Sequence, residues 1–257
     1  MKKILTIILL LLFVITISAQ TNKGHSRKTQ KTVQQTSSKK RSSQSNDGET
    51  QSSKLGKKSA TNFCPDNNHP HAIDLDLPSG TLWSCCNVGA SIPEEYGGLY
   101  AWGETKTKKM YSMQNYKYHD GSSSKRGYTK NFWTISGTEY DVAHVTWGNG
   151  WQMPKHTQFK ELINNCIFEF ITINGISGAK FIGPNGNAIF LPAAGCGFSD
   201  EVDGVNDKGC YSLGQMPSCD VGGGSIDYVL FKSNGFCEYI YYNGRRYNGF
   251  SIRPVKE

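Results

Sequence analysis

After Ile17 the chain has no apolar run long enough to cross a bilayer, which takes about 20 consecutive apolar residues. It has no Cys-x-x-Cys, no His-Glu-x-x-His, no phosphate loop and no Ser/His/Asp ordering of the hydrolase kinds. Histidine is scarce, six in all, which leaves little for a metal-hydrolase centre. These absences set aside the common catalytic motifs. Cysteine is missing before residue 64 and aromatic residues are missing from 20–62. The first absence removes the lipid-anchored N-terminus that a cysteine at the cleavage point would give. The second removes the rings that stack nucleic-acid bases, so specific nucleic-acid recognition is not expected. No internal repeat appears, so a domain is present once.

What is present begins with an export-like N-terminus. Met1-Lys-Lys precedes an apolar stretch from Ile4 to Ile17, and Ser18-Ala19 offers a cleavage point. Residues 1–19 read as a signal peptide, with an uncleaved anchor as the alternative. Residues 20–62 are rich in Ser, Thr, Gln and Lys and nearly free of large apolar side chains. Such a segment buries too little surface to offset the entropy of ordering it, and it reads as a disordered linker. It has eight Lys and two Arg against Asp47 and Glu49. With Lys2 and Lys3 added and a total of +7, residues 63–257 carry about three net negative charges. The basicity therefore belongs to the linker, which is either a solvated spacer or an attraction to an anionic surface.

About 195 residues remain, enough for one domain with a sizeable core. Trp147 and Trp151 lead into Pro154, which suits a helix's first turn. Phe159, Leu162, Ile163 and Cys166 then fall at i, i+3, i+4 and i+7, one stripe of an amphipathic helix. Ile73, Leu75 and Leu77 alternate with Asp74 and Asp76 as a half-buried strand. Pro78-Ser-Gly80 turns the chain into a second strand, Thr81 to Val88. Ser91 to Gly97 reads as a short helical turn, with Glu94 and Glu95 as surface charge, and Leu99 to Trp102 as a short strand. Asp141 is placed to cap a helix from Val142 to Thr146. Strands are expected at Phe168–Ile173, Lys180–Ile182, Ala188–Leu191, Asp227–Phe231, Glu238–Tyr242 and Phe250–Val255, separated by Asn-Gly, Ser-Gly and Pro-Asn-Gly turns.

Trp151-x-Met-Pro-x-x-x-x-Phe-x-Glu-Leu162 resembles the central signature of the Fibrobacter succinogenes major paralogous domain. So, in family order, do Ala72 to Trp83, Cys86 to Ala90, Pro93 to Gly97, Ala101 to Thr105, Ile189 to Gly195 and Gly249 to Val255. The resemblance covers about residues 69–255. It implies one exported bacterial domain at 63–257, related to C-type-lectin-like and formylglycine-generating-enzyme-like folds. The fold would be α+β, with short antiparallel strands, one main amphipathic helix and long loops. Two departures are visible. The family's Thr and acidic capping residues after Met-Pro are Lys155 and Gln158 here, so the cap is expected to be lost or to move to Thr157. Gly209 to Gly214 lacks the family's tryptophan.

Residues 105–137 form a long Lys-, Tyr- and Ser-rich stretch that includes Phe132, Lys125 and Arg126. Tyr116, Tyr118, Tyr128 and Trp133 are the ligand-contact candidates, because rings with polar edges suit a sugar or peptide surface. The alternative is that they cover the core. Asp200, Asp203 and Asp207 in a Gly-rich segment are calcium candidates, although their spacing is not that of an EF-hand loop. His69 and His71 flank Pro70 and would need further ligands to hold a metal. Eight cysteines in an exported chain suggest disulfides. Cys196, Cys210, Cys219 and Cys237 are the candidates, with at least two expected to pair. Cys86 and Cys166 match positions the family often fills, and Cys64 and Cys85 complete the set.

The expected function is non-catalytic binding of a glycan or extracellular protein, with no cofactor. The alternatives are a structural component of the cell envelope, or a relative of the copper-dependent formylglycine-generating oxidases, whose cysteine pair aligns with no pair here.

Overall fold

A computed structural model describes residues 68–123, 127–130, 133–215 and 224–257. The expected signal peptide (1–19), the linker (20–62), Cys64, Lys125, Arg126, Phe132 and Cys219 lie outside them. Within the described residues the architecture is α+β, with short antiparallel strands and two helices of more than one turn. None of those helices is long and apolar enough to cross a membrane.

β1 (Ala72–Asp74) and β2 (Leu82–Ser84) form the first hairpin, and β11 (Val255–Lys256) pairs with the far side of β2. The two ends of the domain therefore meet in one sheet, with Val255 opposite Trp83. The alternation that starts at Ile73 continues inward at Leu75 and Leu77, but not as strand. Asp76 takes a positive φ of 56°, and its N–H donates to the Asp74 carboxylate at 2.8 Å. A side-chain turn thus displaces the ladder after three residues.

α1 (Val142–Trp147) starts where expected. The Asp141 Oδ1 atom accepts from Ala143 N and His144 N, and Oδ2 accepts from Gly137 N and Met153 N. One buried carboxylate so ties α1 to the segments on both sides of it. α2 (His156–Asn165) buries Phe159 and Leu162 fully, with Ile163 and Cys166 packed beside them. Pro154 lies just before the helix rather than in its first turn. The expected loss of the cap is corrected in part: Lys155 makes no side-chain cap, but the reciprocal bond survives. Gln158 Oε1 accepts from Lys155 N at 2.8 Å, the N3-to-N-cap half of a capping box, which an amide oxygen serves as well as a carboxylate.

β3 (Ile167–Ile173), β4 (Ile176–Ile182) and β5 (Ala188–Pro192) form a meander. Asn174 and Gly175 both take positive φ, 52° and 84°, as a two-residue turn between antiparallel strands requires. The expected Ser177-Gly178 turn is instead inside β4. A Cβ at Gly178 would stand 2.4 Å from the Leu191 carbonyl, so this glycine permits close strand approach. β6 (Cys196–Phe198) and β7 (Glu201–Asp203) make a small hairpin. β8 (Lys208–Ser212), β9 (Ser225–Lys232) and β10 (Cys237–Arg245) make a third three-stranded sheet. The expected helical turn at 91–97 and strand at 99–102 are turns and a single bridge, Tyr100 with Phe250.

One core cluster joins these layers through Trp83, Phe159, Leu162, Phe181, Leu191, Tyr211, Val229 and Phe231. Trp83 meets Phe159 edge-on with ring centroids 4.8 Å apart. Burying a ring of this size stabilises the fold by about 2–3 kcal/mol. A second cluster gathers Trp102, Ile135, Val142, Met153, Phe250 and Ile252.

Candidate functional site

The aromatic stretch that follows Trp102 is fastened to the body from inside. The Tyr111 hydroxyl donates to Leu99 O at 2.6 Å, and the Tyr116 hydroxyl to Trp102 O at 2.7 Å. Glu104 is buried and accepts from Lys117 N at 2.7 Å and from Lys108 Nζ at 3.0 Å. Tyr116 lies edge-on to both Tyr118 and Tyr128. The Arg246 guanidinium, itself buried, sits 4.8 Å from the Tyr128 ring and 5.5 Å from the Trp102 ring, and donates to Lys130 O at 3.0 Å. Burial, partly opposed by Arg246, raises the Tyr116 hydroxyl well above its ordinary range.

This corrects part of the ligand-contact set. Tyr116 and Tyr118 are 3% and 6% exposed and belong to the stretch's own small core. An irregular segment with few apolar side chains needs such rings to stay folded. Tyr128 is half-buried, and Trp133 is 43% exposed. Trp83, Trp102 and Trp151 are buried and Trp147 is half-buried, so Trp133 is the most exposed of the tryptophans.

The calcium candidates do not converge. Asp203 pairs with Lys208 and Asp207 accepts from Ser233 Oγ, while Asp200 stands exposed at the β6–β7 turn. Lys208 neutralises Asp203, Asp207 is held by a neutral hydroxyl, and the three carboxylates form no cluster of potential ligands among the described residues. Of the cysteine candidates, Cys196 and Cys210 form a disulfide, which fastens β6 to β8. Cys237 is a thiol packed against the main core.

The tightest group of potential metal donors among the described residues is elsewhere. An imidazole nitrogen of His69, Cys85 Sγ and Cys86 Sγ all lie within 4.8 Å of one another. The β1–β2 register explains it. Ala72 faces Ser84, so the next pair outward is His71 with Cys85. Cys85 N donates to His71 O and His71 N donates to Cys85 Sγ, each at 3.1 Å. His69 Nδ1 reaches the same sulfur at 3.1 Å. The chain then bends, which turns the Cys86 thiol to the same side instead of the opposite one a strand would give. Both cysteines are fully buried, and His69 is half-buried. The hydrogen bond with Cys85, followed by burial, raises the Cys86 thiol far above its usual range, and Arg253 opposes the shift.

No family model, curated protein or solved structure matches this chain.

Arg253 completes the surroundings of the cluster. It is fully buried, and every acceptor that holds it is neutral: Asn87 Oδ1 at 3.0 Å, Ser84 O at 3.0 Å and Phe190 O at 2.7 Å. No ion pair involves it among the described residues. Asn87 also donates to the Tyr211 hydroxyl at 3.1 Å, so the network reaches the main core. Sequence reading found His69 and His71 without their partner thiols. The missing signal was the hairpin register: carrying the pairing one residue beyond Ala72 and Ser84 sets His71 against Cys85.

Proposed function

We propose that this chain is an exported, non-catalytic binding module of C-type-lectin-like fold that takes a glycan or an extracellular protein at the face around Trp133. The observation that supports it is the division of the aromatic stretch. Tyr111, Tyr116 and Tyr118 are buried in a small core of their own, whereas Trp133 in the same stretch is 43% exposed. An exposed indole, with two side-chain torsions and one polar edge, gives contact area at low cost in ordering entropy, which is what a sugar face or peptide surface requires. The motif residues Trp83, Trp102, Phe159, Leu162 and Arg253 are all buried, in keeping with a scaffold that leaves binding to its loops. Export rests on the signal-like residues 1–19 and on the Cys196–Cys210 disulfide, a bond that persists in oxidising compartments. The basic linker 20–62 adds a sequence-independent attraction to anionic surfaces.

A glycan and extracellular-protein array probed with the full mature chain tests the reading. Selective binding that Trp133→Ala abolishes supports it; background signal across both panels contradicts it.

A second reading is an assembly component of the envelope. It draws on Phe198, Val202 and Val205 of the β6–β7 hairpin and the turn after it, which are 37%, 47% and 45% exposed. Co-purification with a polymeric surface assembly, lost on Val202→Asp, favours it.

A further inference from the structure

The thiol–imidazole cluster at the open end of the first hairpin shares no residue with the Trp133 reading, and its chemistry is that of a soft-metal site. Three donors bound to one first-row ion, with bonds of about 2.3 Å to sulfur and about 2.0 Å to nitrogen, lie about 3.5–4 Å apart. An imidazole nitrogen of His69, Cys85 Sγ and Cys86 Sγ are already within 4.8 Å of one another, with His69 Nδ1 3.1 Å from Cys85 Sγ. Two thiolates and an imidazole select Cu(I) or zinc over magnesium or calcium.

Charge decides between those two. Arg253 is a fully buried cation whose acceptors are all neutral, and it lies beside this cluster through its bond to Ser84 O, one residue from Cys85. A buried charge without compensation is costly. Two thiolates, one neutral imidazole and Cu(I) carry one net negative charge, which balances Arg253. The same ligands around Zn(II) are neutral and leave Arg253 with its three neutral acceptors and the more distant field of Glu95, which also acts on Cys86. Three donors also suit trigonal Cu(I), whereas zinc takes a fourth ligand in nearly every site. The half-buried His69 is the one donor at the protein surface and gives the ion its way in.

We propose that His69, Cys85 and Cys86 form a Cu(I)-binding site whose negative charge is compensated by Arg253. Binding displaces the thiol protons to solvent, and no redox step is involved.

The test uses the full mature chain, reduced and kept anaerobic, and titrated with Cu(I) against a chromophoric Cu(I) chelator. The wild type should hold one equivalent more than the Cys85→Ser/Cys86→Ser variant, and Cys237→Ser should keep that equivalent. Because the double substitution falls in the interior, His69→Ala supplies the second readout. His69 precedes β1 and is half-buried, so near-UV circular dichroism should stay unchanged while Cu(I) affinity falls at least tenfold. X-ray absorption of the loaded protein should show two sulfurs and one nitrogen. Equal copper counts in the wild type and the double variant overturn the proposal. So does an unchanged affinity in His69→Ala, or retention of zinc in preference to Cu(I) by these residues.

Discussion

His71 and Cys85 face each other across the open end of the β1–β2 hairpin, each donating its N–H to the other at 3.1 Å, one bond to a carbonyl and one to a sulfur. That pairing extends the ladder past its last regular residues and fixes where the following thiol, Cys86, can point. A two-strand register thus brings together side chains from separate segments. The same economy recurs through the fold, where single buried polar groups join segments far apart in sequence.

Asp141 is one such group. Four backbone N–H groups converge on its carboxylate, from Gly137, Ala143, His144 and Met153. Asp141→Ala should lower stability by about 3 kcal/mol or more, since each abandoned buried donor costs about 1–3 kcal/mol before water re-enters. Asp141→Asn keeps one oxygen acceptor and should fall between the two. Urea midpoints for the three proteins check the order.

The disulfide between Cys196 and Cys210 closes a loop of 14 residues of sequence separation. Chain-entropy arguments assign such a loop about 3 kcal/mol. Cys196→Ala/Cys210→Ala should lose about that amount. Non-reducing peptide mapping of the wild type should show the two residues in one linked peptide.

Cys166 and Cys237 should resist alkylation at pH 8. Burial, with a smaller contribution from Glu161, pushes the Cys166 thiol up to about 11, and burial pushes Cys237 up to about 12. Labelling at both should rise about tenfold per pH unit between pH 8 and 10. The folded state holds these protons more tightly than the unfolded chain, whose thiols ionise near 9. Their contribution is therefore fully present below pH 9 and is lost as pH rises through 11 and then 12. Urea titrations at pH 8, 9.5 and 10.5 should show stability decreasing in that order.

What could be read from the chain follows from the range of each signal. The stripe Phe159, Leu162, Ile163 and Cys166 declares its helix because 3.6-residue periodicity is local, and the Asn174-Gly175 turn declares itself because both positions need positive φ. Asp141 was recognisable for the same reason. The mixed α+β class with antiparallel strands was what the family resemblance implied, and the described elements agree with that class. For Tyr116 and Tyr118 the sequence left ligand contact and core cover both open, since an aperiodic stretch gives no face to assign, and burial decides for core cover. Arg253 was hidden for a different reason. Its acceptors, Ser84 O, Asn87 Oδ1 and Phe190 O, come from segments that only the finished fold brings together. Gln158 was misjudged because the expected pattern named an acidic residue where the physics asks only for an acceptor oxygen.

The account centres on Trp133 as the ring that meets a ligand while Tyr116 serves the interior. The direct measurement is the affinity of the array-identified glycan or protein for three forms of the mature chain: wild type, Trp133→Ala and Tyr116→Phe. Trp133→Ala should weaken binding at least tenfold with an unchanged urea midpoint, because its side chain is 43% exposed. Tyr116→Phe should bind as the wild type does while losing about 1 kcal/mol of stability with its bond to Trp102 O. Equal affinity for the wild type and Trp133→Ala, or weakened binding in Tyr116→Phe alone, would contradict the account.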